Sequence, residues 1–560
     1  MTTRRKPQIP VVLRQRLATR SGDRRDRVER AAANHELRRQ PQGQGDAAWA
    51  SAISYVAECL RRVSRAMPLE SAGSHPTQNV TRPEMALSIR RRRTIRCERT
   101  FIHVTSTVLA PCAKRPNVKT TCVDRFVAIH TVDGRYHLTT YINPETLTVR
   151  KSAARRRDAT LLPEPLPARL HVPIVSVDDH YVEPGDLFQS RMSAKFRDRI
   201  PRVVETSDGV EAWQFEDSLE VLRGPISAVG RPREEWTMEP LRFDEMRAGS
   251  YDPVARLKDM DVAGVVMSLC FPSAPFGFAG QRFFRMKDHE LGLAAMRAYN
   301  DWTIEEWVRT DPSRFIAQQV PWFPDPALAA AEIRRNAARG FRAVTFSENP
   351  EALGFPSIYT DFWDPFFSAC EETGTVVNLH IGSSSQMNTG STGAPTDVTL
   401  ALFPVNAIVA SVDWLYARIP IRFPGLKIVL SESGISWVPM IHERLRRNLR
   451  MAHTSESTWT LEGETPEEVF KRAFWFTSIE DPSGIDARHQ VGIDRIMLEV
   501  DYPHPDSSWP QTQEVIQSEL GHIPEGDVKM LAYENAAAVY SLSLPEIARI
   551  ADRLKQLAVS

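Results

Sequence analysis

The chain has 560 residues, no formal net charge, 42% hydrophobic and 8% aromatic residues, a composition that can bury a sizeable core and excludes disorder throughout. Its length exceeds one ordinary domain, so one large domain with an appendage is expected. No apolar run of about 18 residues occurs, and the Arg-rich start lacks the apolar stretch of a secretory signal, which leads to the expectation of a soluble, cytoplasmic protein.

Neutrality hides an asymmetry. Residues 1–170 hold 33 Lys and Arg against 14 Asp and Glu, and the remainder holds 37 against 56. Runs such as RRDRVER and SIRRRRTIR show no apolar period, so residues 1–165 read as a basic, largely disordered extension or as translation upstream of the true start. Within it FIHVTSTVLA and RYHLTTYI alternate well enough for short strands. Arginine clusters of this kind attract nucleic acid, but no binding motif accompanies them, so nucleic acid is not expected as a partner. The six cysteines form no CxxC pair and are expected to be unpaired thiols. The proline-rich LLPEPLPARLHVP reads as a linker.

From Val172 the texture becomes short apolar strands alternating with amphipathic helices. Strands are expected at VPIVSVD (172–178), VAGVVMSL (262–269), FIAQQVP (315–321), FRAVTFS (341–347), TVVNLHI (375–381), LKIVLSE (426–432), FWFTSI (474–479) and RIMLEVD (495–501). Helical patterns between them include DPVARLKDMD, LAAMRAYNDWTIEEW, DPALAAAEIRRNAARG and WVPMIHERLRRNLRMA, several opened by Asp-Pro and closed by Gly. Eight such units predict an α/β protein with a (β/α)8 TIM barrel over residues 170–550, its active site at the C-terminal ends of the strands. An open doubly wound sheet would be supported by a GxGxxG turn after a strand, and none is present.

Ionisable residues stand at several of these strand ends. Asp178 and His180, two apart on an extended chain, point to one side, so a carboxylate oxygen and an imidazole nitrogen can share an ion. Alone, DxH is more often a turn or a cap, and Glu183 in the same segment is a further candidate ligand or supporting group. His380 ends the fifth strand, Asp501 the eighth and Glu432 the sixth, where a carboxyl can serve as general base, metal neighbour or helix cap. Each by itself has a structural explanation. Together, Asp178, His180, His380 and Asp501 make an O/N donor set suited to zinc, with manganese or another divalent ion possible. His504, in the YPHP turn after Asp501, can bind substrate or orient the turn, and Trp437 and Trp509 can wall a pocket or pack in the core.

The joint pattern of VDDHYVEP, KDMDVAGVVMSL, RAYNDW, DPSRF, VNLHIG, LSESGISWVP and LEVDYPHPDSSWP over residues 170–545 resembles the amidohydrolase-related family that includes aminocarboxymuconate semialdehyde decarboxylase and the dihydroxybenzoate decarboxylases. The resemblance implies one divalent metal, usually zinc, held by Asp178, His180, His380 and Asp501, a small-molecule substrate and a homodimer. Two positions depart from it: the first strand carries DxH where many members have HxH, and Glu432 stands where many decarboxylases have histidine. Both changes make the site more anionic and favour a harder ion.

The resemblance implies a non-oxidative decarboxylase of an aromatic or unsaturated carboxylic acid, with Asp501 and Glu432 as catalytic candidates. The alternatives are a metal-dependent hydrolase of an ester, lactone or amide and an inactive barrel acting as a binding protein.

Overall fold

The structure is a computed structural model; it describes the backbone of residues 125–132 and 135–142, and residues 160–557 apart from 208, 392, 452–458 and 460–462. FIHVTSTVLA lies outside the described residues. RYHLTTYI forms β2 (Arg135–Ile142), antiparallel to β1 (Arg125–Val132) with Arg125 opposite Ile142.

All eight expected barrel strands form. They are β3 (Ile174–His180), β7 (Val265–Phe271), a third strand broken at Ala317 into β8 (Phe315–Ile316) and β9 (Gln318–Gln319), then β10 (Ala343–Phe346), β11 (Val376–His380), β12 (Ile428–Ser431), β13 (Phe474–Ser478) and β14 (Ile496–Leu498). Neighbours run parallel in the order β3-β7-β8 and β9-β10-β11-β12-β13-β14. The ring closes where the chain beyond β14 meets β3. There His180 N–H donates to the Tyr502 carbonyl at 2.6 Å and Asp501 N–H to the Asp178 carbonyl at 2.9 Å. A closed ring leaves no sheet edge unpaired.

The helix signals act as the sequence suggests. Asp252 accepts from the N–H groups of Val254 and Ala255 at the start of helix Pro253–Ala263, and Asp325 does the same for helix Pro326–Ala337. Gly264 ends the first of these with φ 72°, the left-handed turn that returns the chain to β7. Inside the ring, Val175, Val177, Val266, Leu269, Val376, Val429 and Met497 form one apolar cluster with Ile547, Ile550 and Leu554 of the C-terminal helix Leu544–Leu557.

Two features were not visible in the sequence. A small antiparallel sheet of β4 (Arg202–Glu205), β5 (Glu211–Phe215) and β6 (Ser218–Val221) is inserted after β3. It is anchored by the buried Trp213, which stacks on Phe215 and meets Phe188 and Phe276 edge-on. The pairing of β3 with β7 also slips between Ser176 and Asp179. That bulge changes the phase of the strand, so Val175 and Val177 fill the interior while Asp178 and His180 reach the rim together.

Among the described residues no helix is long and apolar enough to cross a membrane. Cys270 and Cys370 are buried free thiols, as expected.

Candidate metal centre

Asp178 and His180 sit on β3 and His380 ends β11, directly beside Ser431 of β12. Glu432 follows that serine, and Asp501 lies just past β14. The ring brings these ends to one point. His180 Nε2 and His380 Nε2 are 3.2 Å apart, Asp178 Oδ1 is 3.6 Å from the first and 3.7 Å from the second, and Asp501 Oδ1 is 3.3 Å from His180 Nε2. Glu432 Oε2 stands 3.6 Å from His380 Nε2. Glu432 and Asp501 have φ values of 55° and 53°, a left-handed conformation that non-glycine residues hold only where their surroundings fix it.

The far ring nitrogens set the orientation. His380 Nδ1 lies 2.7 Å from the Ile381 carbonyl and His180 Nδ1 3.4 Å from that of Pro272, so each ring donates outward and turns the lone pair of Nε2 toward its neighbour. Burial holds the His380 imidazole neutral, its pKa lowered to about 3. Burial, with His504 and His380 nearby, also drives His180 well below its usual value. Two neutral nitrogens facing each other with no proton between them are an unfavourable pair unless a cation joins them.

The carboxyls tell the same story with opposite sign. Both oxygens of Asp178 and both of Asp501 are buried without a hydrogen-bond partner, a costly arrangement for carboxylates. Burial first, then Glu499 and Glu432, pushes Asp178 well above the usual carboxylate range. Burial, then Asp506 and Glu432, does so for Asp501. Ligand atoms of Asp178, His180 and His380 lie within 4.8 Å of one another, as do those of His180, Asp501 and His504. Orphaned oxygens and unprotonated nitrogens around one point fit a divalent ion.

The remaining candidates are distributed around this cluster. The His504 ring lies against that of His180, centroids 3.9 Å apart and planes tilted by 30°, and places Nδ1 3.1 Å from Asp501 Oδ1. Glu183 stands one layer behind. It accepts from Ser273 N–H at 3.0 Å and from Tyr299 O–H at 2.8 Å, and so holds the loop whose Pro272 carbonyl faces His180. Trp509 is turned away from the cluster. Its Nε1 donates to the Asp259 carbonyl at 3.0 Å, its ring lies under Arg247, and it walls a separate cavity of about 610 Å³. Trp437 donates to the Ser433 carbonyl and packs edge-on against Phe476.

Sequence reasoning missed several neighbours. Asp506 groups with Glu432 and Asp501, and its signal was its position five residues after Asp501 in the same proline-bounded turn. Glu499 accepts from Glu432 N–H at 3.1 Å. Phe278, its ring 4.1 Å from that of His380, and Phe271, at 4.9 Å, cover one side of the cluster with apolar surface. Asp179, between the two β3 candidates, faces the other way and accepts from Ser176 Oγ and Tyr502 N–H. Arg256 is buried behind His180, donating to its carbonyl and lying 4.0 Å over the Tyr502 ring.

A family model described as amidohydrolase matches residues 206–542, more than half of the chain. Among solved structures, an amidohydrolase from Mycobacterium avium subsp. paratuberculosis K-10 is 21% identical with a TM-score of 0.54, covering 66% of this chain and 100% of its own, which establishes a shared fold. A 5-carboxyvanillate decarboxylase from Sphingomonas paucimobilis is 22% identical, TM-score 0.46, over 66% of this chain and 99% of its own. A 5-carboxyvanillate decarboxylase from Novosphingobium aromaticivorans DSM 12444, solved with manganese and 4-hydroxy-3-methoxy-5-nitrobenzoic acid, is 16% identical, TM-score 0.47, over 68% and 99%. No curated protein matches the chain.

Proposed function

The chain belongs to the amidohydrolase family, and from that premise we propose that it is a metal-dependent non-oxidative decarboxylase of an aromatic or unsaturated carboxylic acid. The observation that carries the reading is the convergence of two unprotonated imidazole nitrogens and two unpartnered buried carboxyls at the C-terminal ends of β3, β11 and β14. The choice of decarboxylation rests on the motif pattern from VDDHYVEP to LEVDYPHPDSSWP.

In this reading Asp178, His180, His380 and Asp501 hold one divalent ion, zinc or manganese, both compatible with mixed nitrogen and carboxylate donors. When bound, the ion supplies Lewis-acid attraction for the substrate carboxylate and an adjacent oxygen.

The protein groups then handle the proton. Asp501, whose proton affinity is raised by burial and then by Asp506 and Glu432, would hold the ion through one carboxyl oxygen and from the other deliver a proton to the carbon that bears the carboxylate. The bond from that carbon to the carboxylate breaks, carbon dioxide leaves, and the bonding pair restores the unsaturated system. Asp501 is left as carboxylate and regains a proton from solvent by way of His504, 3.1 Å away and on the exposed side. Phe271 and Phe278 keep water from the flank of His380.

The Asp501–His504 contact also favours a second reading. A carboxyl with an adjacent imidazole can accept a proton from water attacking an ester, lactone or amide carbonyl. One experiment separates the two. Metal-replete protein is offered a panel of hydroxybenzoates and related unsaturated acids beside ester and lactone substrates, and released carbon dioxide is measured. Decarboxylation predicts carbon dioxide from at least one acid. Turnover of esters or lactones without any carbon dioxide makes the protein a hydrolase, and metal-free protein after supplementation with zinc and manganese removes both readings.

A further inference from the structure

Both backbone hydrogen-bonding groups of His180 are occupied from behind the site. Its N–H donates to the Tyr502 carbonyl at 2.6 Å, and its carbonyl accepts from the guanidinium of Arg256. With Nδ1 facing the Pro272 carbonyl at 3.4 Å, the residue is held at three points, which turns Nε2 toward Asp178, His380 and Asp501. We propose that Arg256 is a positioning residue of the metal centre: it fixes His180 of β3 against Asp501 beyond β14 and so sets the affinity and coordination geometry of the ion. The proposal rests on the metal-dependent reading above and gives a role to a side chain which that reading does not use.

Arg256 comes from neither strand but from helix Pro253–Ala263. It is 1% exposed, and its donors are spread over separate segments. Nε donates to the Gly249 carbonyl at 2.7 Å, Nη2 to the His180 carbonyl, and Nη1 stands 3.5 Å from Cys270 Sγ of β7. A planar fork reaches all three at once, which a point charge on a flexible stem does not.

The same guanidinium is tied to the other ligand segment through Tyr502, the residue after Asp501. Its carbon lies 4.0 Å from the centre of the Tyr502 ring, a cation–π contact that burial strengthens. That ring is fixed at its far end, where Tyr502 O–H donates to Asp259 at 2.6 Å, and its backbone N–H is given to Asp179 at 3.1 Å. Arg256 therefore touches β3 directly and the chain past β14 through one ring, bridging the seam where the barrel closes.

Charge explains why a cation stands there. Asp179, between Asp178 and His180, is 2% exposed and faces away from the metal cluster. Burial disfavours its ionised form, and the charge of Arg256 is the largest influence in the other direction. A buried carboxylate that loses such compensation is costly. Removing the guanidinium thus withdraws an anchor from His180 and the counter-charge from its neighbour, while every candidate ligand stays in the chain.

The test reads the ion, with no need of a substrate. Chelator-treated full-length protein is titrated with CoCl2, and bound cobalt is followed together with its visible absorption, which reports the arrangement of ligands. Arg256→Lys keeps the charge and loses the fork. It should bind cobalt about 10- to 100-fold more weakly, the usual loss when a group that orients a metal ligand is removed, with an altered spectrum. Tyr502→Leu, which takes the ring from under the guanidinium, should move both readouts in the same direction. Arg314→Lys is the control, because Arg314 is also 1% exposed and also donates to carbonyls, those of Val265 and Val266 at the start of β7. It should lower the melting temperature and leave cobalt affinity and spectrum unchanged. Wild-type affinity and spectrum in Arg256→Lys overturn the proposal and leave the proposed function standing. So does an equal loss in Arg314→Lys, since binding would then follow stability alone. Where Arg256→Lys does not fold, Tyr502→Leu decides in its place by the same criteria. A wild type that binds no cobalt overturns the metal-dependent reading together with this one.

Discussion

Asp501 donates its backbone N–H to the carbonyl oxygen of Asp178 at 2.9 Å, so the hydrogen bond that closes the barrel also ties together two residues proposed to hold the same ion. The seam is reinforced by Ser176 Oγ, which accepts from Val500 N–H, and by Asp179, which accepts from Tyr502 N–H. Barrel closure and site geometry are therefore coupled. A change that loosens the meeting of β3 and β14 displaces two candidate ligands at once.

Asp501→Asn separates the chemistry of this residue from its backbone role. The amide keeps the N–H to Asp178 and the volume of the side chain, so the fold and its melting temperature should stay near wild type. It has no proton of suitable acidity to give, and turnover should fall by about 10²–10⁴, the range of a lost general acid. A near-normal rate in the metal-loaded variant would remove Asp501 from the reaction.

His380→Ala deletes one of two nitrogens 3.2 Å apart and leaves His180 without its counterpart. Bound metal should drop after dialysis, and with it the thermal stabilisation that the ion gives. Wild type held at about 100 times the dissociation constant gains about 2.7 kcal/mol from binding, seen as a rise in melting temperature on adding zinc or manganese. The variant should show little or none of that rise. An equal rise in both proteins would place the ion elsewhere.

Glu432→Gln tests the sixth-strand position, where the motif pattern departs from its relatives. The amide retains the backbone donation to Glu499 and fills the same space. Loss of the carboxylate beside His380 should lower kcat by about a hundredfold, the low end for a lost general acid or base, with the ion still bound. Unchanged kinetics would make Glu432 a structural group of the loop after β12.

Acid stability can be read far from the site, at His442. Its ring is 3% exposed and packs edge-on against Phe470, and burial, followed by Lys471, lowers its pKa from 6.5 to about 4. Between those values the unfolded chain binds a proton that the folded chain does not. This contribution is therefore complete above pH 6.5 and is lost as pH falls toward about 4. His442→Phe removes the titration, so the urea midpoint of the variant should fall less than that of wild type across this window. Equal losses would assign the acid sensitivity to other groups.

The barrel was legible because most strands are short, buried and largely apolar runs and several helices carry an Asp-Pro start or a Gly stop, as at Asp252 and Gly264. Those signals are local, and tertiary contacts agree with them. The Asp178–His180 pair was legible for the same reason, as two residues at strand spacing. Its phase was not, since the slip between Ser176 and Asp179 depends on how β3 pairs with β7.

By itself the sequence determined the eight strands, their order and which polar residues stand at their ends, because periodicity and burial are written over a few neighbouring residues. Only the tertiary structure decided which of those ends meet. His180 and His380 are 200 residues apart and face each other at 3.2 Å. Asp506 folds back toward Glu432 and Asp501, while Glu183 is held by Ser273 and Tyr299, and Trp509 turns to a separate cavity. Convergence of this kind depends on strand register, the bulge in β3 and the closure of the ring, which arise from pairings between distant segments.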